Sequence, residues 1–231
     1  MLKSDFKVVT RYKSKNTYTW SPAIAYSVGL IASDGCLYKD QRHISLVSVD
    51  MEILTNFSKS LGKDFTISNY NTGHDVGADA YRIQIGDVAY YDFLLGNGIT
   101  PAKSKTIGKL LVPDDYYADF LRGEFDGDGS IWGYWDPRWR SSLMYYTQFT
   151  SASFVFLAWL QYQNSRLIGT TLGEIYKGKK AISLKYAKSD SQKIFKFMYY
   201  SLDSLKLTRK YNKFVAFLKM DPYSNKDVLL V

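Results

Sequence analysis

Residues 24–35 read IAYSVGLIASDG, and residues 118–129 read ADFLRGEFDGDG. Each stretch has a Gly, four intervening residues and then Asp-Gly. Gly29 and Gly123 lie 94 residues apart, which sets the length of an internal repeat. Pro22 stands where a helix can begin and Gly35 where one can end. Between them Ala25, Gly29 and Ser33 recur every fourth residue and so share one helical face. Gly123 and Gly127 repeat that spacing, with Asp119 one turn earlier. A mid-helix Gly costs about 1 kcal/mol relative to Ala. Accepting that cost in both copies predicts two helices packed closely on each other, with Ala25, Gly29 and Gly123 at their interface.

The flanking sequence repeats in kind. In the first copy strands are expected at 36–39 and 43–49, then a helix at 50–61 with Asp50 as N-cap. Strands at 65–70 and 81–85 follow. In the latter Tyr81, Ile83 and Ile85 alternate with Arg82 and Gln84, the period of a half-buried strand. A helix at 88–95 closes the half. The second copy predicts strands at 130–135 and 142–150, a helix at 153–167, strands at 172–176 and 181–186, and a helix at 190–202. A last helix near 209–220 has no counterpart in the first half. The chain therefore divides into a first repeat (1–99), a linker (100–113) and a second repeat (114–231). The expected class is α+β: two pseudo-twofold-related αββαββα repeats, each with a four-stranded antiparallel sheet.

The 231 residues carry 30 Lys+Arg against 22 Asp+Glu, a formal charge of +8, and 20 Tyr with 5 Trp. A basic chain rich in aromatics suits a polyanionic partner, nucleic acid above all. One cysteine, Cys36, excludes an internal disulfide and a cysteine-based metal cluster, and fits a reducing, intracellular compartment. The longest apolar stretch, 154–160, is too short to span a membrane.

The sharper signal is the pair of acids. Asp34 and Asp128 end the two helices, where the macrodipole disfavours a carboxylate by a few tenths of a kcal/mol. Twofold symmetry brings both acids to one place beside helix-end carbonyls. Hard oxygen donors gathered in this way call for a cation, and fit Mg²⁺ better than a soft metal.

Ser27–Gly35 (SVGLIASDG) and Leu121–Gly129 (LRGEFDGDG) match the nine-position signature of the LAGLIDADG homing endonucleases. The chain resembles that family in its single-chain, two-motif form over nearly its whole length. The resemblance implies a monomeric endonuclease, encoded within an intron or intein, that acts on double-stranded DNA with a long asymmetric target. Asp34 and Asp128 would be catalytic metal ligands, with the carbonyls of Ser33 and Gly127 as auxiliary ligands. Mg²⁺ would be the cofactor, with Mn²⁺ or Ca²⁺ able to substitute in binding. The two sheets would form a saddle on the major groove, and divalent metals would activate water across the minor groove to leave cohesive 3′ ends.

Some positions depart from the pattern. Ser27 replaces a large apolar residue, Ala32 replaces the sixth-position acid, and Arg122 and Glu124 are atypical. Where members often carry Gln or Lys before the second helix of each half, this chain has Ser48-Val49 and Ser151-Ala152. Lys188, after the last strand of the second half, is the candidate for the catalytic base-supporting lysine. The equivalent first-half position, near Gly86-Asp87, has none.

Expected DNA contacts in the first half are Lys39, Arg42, Ser45, Asn69, Asn71, Arg82 and Gln84. In the second half they are Arg138, Arg140, Tyr146, Gln148, Tyr176, Lys177, Lys179, Lys180, Ser183 and Lys185. Arg82, Gln84, Gln148 and Lys185 are the choices for base edges, since Arg and Lys pair with guanine and Gln with adenine. Trp132, Trp135 and Trp139 either brace their hairpin or lie along the backbone. An RNA-splicing maturase and a catalytically inactive DNA-binding protein are the alternatives on the same fold. A two-carboxylate glycosidase explains neither the charge nor the helix-end acids.

Overall fold

The computed structural model describes residues 17–70, 80–139, 142–171, 173–178 and 181–222. Its first helix, α1 (Pro22–Ser33), starts at Ser21, whose hydroxyl accepts the Ile24 N–H at 3.2 Å, with Pro22 in the first turn. Residues 24–32 are all buried, which suits a helix apolar on every side. Its partner α4 (Tyr117–Asp128) is buried nearly as fully.

The two helices cross backbone to backbone. A Cβ on Gly29 would stand 2.2 Å from the Phe120 carbonyl oxygen, and one on Gly123 would stand 2.2 Å from that of Tyr26. Any side chain at either position would force the helices apart. The seam runs to the helix ends, where a Cβ on Gly127 would meet Ser33 Oγ at 1.9 Å. Ala25 is fully buried on α1.

Each half then adds a four-stranded antiparallel sheet. The first holds β1 (Gly35–Leu37), β2 (His43–Ser48), β3 (Ser68–Tyr70) and β4 (Ala80–Gly86) in the order β1-β2-β4-β3. Helices α2 (Met51–Ser60) and α3 (Val88–Gly96) complete that half. The second holds β5 (Gly129–Trp135), β6 (Leu143–Ser151), β7 (Glu174–Lys177) and β8 (Ile182–Tyr186) in the same order, β5-β6-β8-β7. Helices α5 (Phe154–Ile168), α6 (Lys188–Met198) and α7 (Thr208–Met220) follow.

Alternate residues divide the two faces of each sheet. Ile44, Leu46, Ile83 and Ile85 face the core of the first half, as Tyr145, Phe149 and Leu184 do in the second. One hydrophobic core spans both halves. The segment between them belongs to it, because Ile107, Leu110 and Val112 are buried.

Two local expectations change. Asp50 stands at the N-cap of α2, but its carboxylate caps no helix N–H; it accepts from Arg209 Nε at 2.9 Å and Nη2 at 2.6 Å. A charged guanidinium outcompetes a neutral amide for a carboxylate. The last helix also has a first-half counterpart for its opening turn: a 3₁₀ turn at Lys103–Lys105, too short for a periodicity to show it.

Candidate acidic site and nucleic-acid interface

Asp34 follows α1 directly, with its N–H bonded to the Leu30 carbonyl at 3.0 Å, and Asp128 is the last residue of α4. The close seam carries both acids to one end of the helix pair. Asp34 Oδ2 lies 3.2 Å from where a Gly127 Cβ would be. Burial pushes the Asp34 carboxyl up to about 6, and the charge of Asp128 adds to that shift. Burial raises Asp128 as well. One turn earlier on α4, Glu124 is fully buried, and burial together with Asp128 holds its carboxyl well above the usual range. Its Oε2 has no hydrogen-bond partner.

Two buried lysines meet these acids. Lys103, from the 3₁₀ turn, donates through Nζ to the Ser33 carbonyl at 2.9 Å. Lys210, from the first turn of α7, donates to the carbonyls of Phe125, Asp126, Gly127 and Gly129 at 2.8, 2.8, 2.9 and 2.6 Å. Burial lowers both ammonium groups, Lys210 to about 8, while the surrounding carboxylates pull the other way. Each helix thus ends on a lysine that meets the carbonyls the macrodipole makes negative.

Neither lysine is among the residues expected from the sequence, because both follow the third helix of their half rather than its last strand. The shared signal is faint: Ile99-Thr100 stands three positions before Lys103, and Leu207-Thr208 two positions before Lys210.

Lys188 is not at this site. Its Nζ pairs with Asp221 Oδ1 at 2.7 Å, beyond the far end of α7. Lys210 and Asp221 lie eleven positions apart along α7, roughly 16 Å at the α-helical rise. The position after the last strand starts a helix whose first turn faces the tail of α7, so its ammonium has a structural partner. Lys188→Ala is expected to leave any cleavage rate within about threefold while costing about 3 kcal/mol, the low end for opening a buried pair. Initial rates and urea midpoints separate the two effects.

The donor set decides whether a divalent cation fits. Two carboxylates, each raised by burial, gain from a hard cation between them, and both are hard oxygen ligands. The expected carbonyl ligands fit less well, since those of Ser33 and Gly127 already accept a lysine ammonium. Among the described residues no group of three or more His, Cys, Asp or Glu could hold a metal. Asp34 and Asp128 are therefore the residues that would hold it. Beside Asp128 a cavity of about 220 Å³ is lined by Ser33, Lys103, Ser104 and Ser151 among others.

The outward faces of the two sheets differ. On the first, Cys36, Ser45 and Gln84 are in register across three strands, and Arg82 lies 5.0 Å from the Tyr70 ring centroid. Gln84, Lys39, Arg42 and Asn69 are exposed, while Ser45 is buried between its neighbours. On the second, Trp132 stacks on Tyr146 at 4.6 Å. Lys185 Nζ stands 5.5 Å from the Tyr146 ring and 5.1 Å from that of Tyr176, and pairs with Glu174 at 2.9 Å. The Tyr176 hydroxyl donates to Gln148 Oε1 at 2.7 Å.

Lys185 and Gln148, chosen for base edges, are thus engaged with each other's neighbours. Arg138 is likewise engaged with Asp136, at 3.0 Å. Lys177 is exposed and Ser183 is buried opposite Thr150. All three tryptophans, Trp132, Trp135 and Trp139, are exposed, and Trp132 stacks on Tyr146 across the sheet face. Asn71, Arg140, Lys179 and Lys180 lie outside the described residues.

No protein-family model matches the sequence, and no curated protein matches it. Solved structures do match. The homing endonuclease I-WcaI bound to its DNA recognition sequence aligns with a TM-score of 0.58 at 12% identity, over 84% of this chain and 88% of that one. The I-LtrWI LAGLIDADG homing endonuclease bound to target DNA aligns at 0.56 and 10% identity, over 90% and 94%. Full-length DUF199/WhiA from Thermatoga maritima aligns at 0.55 and 14% identity; the match covers 93% of this chain but only 66% of that one. Identities this low establish the fold: two α+β halves of the kind found in the LAGLIDADG homing endonucleases. No helix among the described residues is long and apolar enough to cross a membrane.

Proposed function

We propose that this chain is a site-specific endonuclease that hydrolyses one phosphodiester in each strand of double-stranded DNA. The observation that carries the reading is the convergence of Asp34 and Asp128 at one end of a glycine-lined helix seam, with a four-stranded sheet extending from each helix. That the fold neighbours include endonucleases bound to their DNA targets adds to it.

In this reading the two outward sheet faces form the saddle for the major groove, and the acids stand between them at the minor groove. A divalent cation, Mg²⁺ by preference, held by Asp34 and Asp128 would polarise the scissile phosphate and activate a water. Lys103, beside Asp128 in the 220 Å³ cavity, presents positive charge to an entering phosphate. Because one face carries Arg82 and Gln84 and the other an aromatic-rich row, the target is asymmetric and a single chain reads both halves. Arg82 is the strongest candidate for a guanine contact.

The test uses a target selected by binding from randomised duplexes and cloned into a plasmid. Linearisation in Mg²⁺ supports the reading; intact plasmid with every divalent ion tried refutes it. Binding should also weaken steeply with salt. Six or more phosphate contacts imply a loss of about 10³-fold between 50 and 200 mM salt, and a flat response would remove the saddle from the account.

A second reading, sequence-specific DNA binding without cleavage, is favoured by one observation: lysines already occupy the helix-end carbonyls. Tight duplex binding with no cut product would establish it.

A further inference from the structure

The helix-end carbonyls set up a cation site that the chain fills itself. Lys210 Nζ is surrounded by four backbone carbonyl oxygens at 2.6–2.9 Å, more acceptors than an ammonium has protons. Lys103 Nζ meets the Ser33 carbonyl at the matching end of α1. Both lysines are buried, at 7% and 5% exposure. Burying a charged ammonium is costly unless it is paired and hydrogen-bonded, and both conditions hold here. The two come from corresponding places, the first helical turn after the third helix of each half: a 3₁₀ turn in the first and the start of α7 in the second. The charges of Asp34 and Asp128 act on both ammonium groups, with Glu124 acting on Lys103 and Asp126 on Lys210.

We propose that the ammonium groups of Lys103 and Lys210 are tethered cations that occupy the carbonyl positions of a divalent-ion site, so that the helix seam and its acid pair are stable without metal. The proposal rests on the acid-pair geometry of the preceding section but not on nuclease activity. A divalent ion in the wild type is left with the two carboxylates. Removing a lysine exposes helix-end carbonyls and an undercompensated acid pair, an all-oxygen cradle for a hard cation.

The experiment follows thermal unfolding and Ca²⁺ binding by calorimetry, with full-length chain and no DNA. Wild-type Tm should be the same in EDTA and in millimolar Ca²⁺, within about 1 °C. Lys210→Met should melt lower in EDTA and recover by roughly 5–10 °C at Ca²⁺ concentrations near a hundred times its Kd. It should bind Ca²⁺ at least tenfold more tightly than the wild type. Lys103→Met, which frees the Ser33 carbonyl, should show the same recovery in smaller measure and serves if Lys210→Met does not fold. A wild-type Tm that climbs with Ca²⁺ would overturn the proposal, as would variants that gain no affinity for the ion. Plasmid cleavage is scored separately, so an inactive protein that passes this test refutes only the endonuclease reading.

Discussion

Asp34→Asn and Asp128→Asn should each reduce plasmid cleavage in Mg²⁺ by on the order of 10³-fold or more. Several kcal/mol of transition-state charge stabilisation are lost with a metal-holding carboxylate, and each 1.36 kcal/mol is tenfold in rate. Both variants should still bind the selected duplex, because the sheets are untouched. The same substitution carries a second signature. Asp34 is raised from 3.8 to about 6, so the folded state binds its proton more tightly than the unfolded state does. A carboxyl of that kind favours folding most at low pH; its contribution falls as pH rises from about 4 to about 6, and above that the ionised form is a net cost. The shift corresponds to on the order of 1–2 kcal/mol after allowing for partial exposure. Asp34→Asn should therefore melt several degrees higher than wild type at pH 8 in EDTA, and that advantage should shrink at pH 5. Unchanged cleavage by both Asn variants would remove the acids from the chemistry. A lower melting point for Asp34→Asn at pH 8 would mean that the acid is structurally paired.

Gly29→Ala should cost about 3 kcal/mol or more, beyond the usual range for an overpacked core, because the added methyl meets backbone that cannot turn aside. Its Cβ would stand 2.2 Å from the Phe120 carbonyl oxygen and 2.7 Å from the Glu124 nitrogen. Gly123→Ala meets the mirror-image obstacle at Tyr26. For a chain of this length the loss corresponds to a fall of roughly 6–12 °C in Tm. Gly96→Ala is the control. It lies at the end of α3 with nothing within 4 Å of the new methyl, and helix propensity makes it neutral or stabilising by up to about 1 kcal/mol. Urea midpoints for the three variants decide the matter. If Gly29→Ala matches Gly96→Ala, the two helices are not in backbone contact and the acid pair loses its support.

Much of this was legible in the residues. Gly29 and Gly123 forecast a close helix crossing, since a glycine inside a helix is tolerated only where something displaces its side chain. The alternation in Tyr81–Ile85 gave β4, and Pro22 gave the start of α1, because these signals are local to the chain. The 3₁₀ turn at Lys103–Lys105 escaped notice, as one helical turn carries no periodicity. Asp50 looked like a cap because the sequence cannot show that Arg209, 159 residues away, reaches its carboxylate first.

By itself the sequence determined the duplicated α+β architecture and the two acids that end its central helices, because periodicity, glycine placement and Asp-Gly spacing are properties of neighbouring residues. Tertiary structure alone decided which cations face those acids. It set Lys103 and Lys210 at the helix ends and paired Lys188 with Asp221, and it gave the two sheets unlike outward faces. The reason is physical: a buried charge is stabilised by whatever group lies within a few ångströms in space, and distance along the chain says little about that.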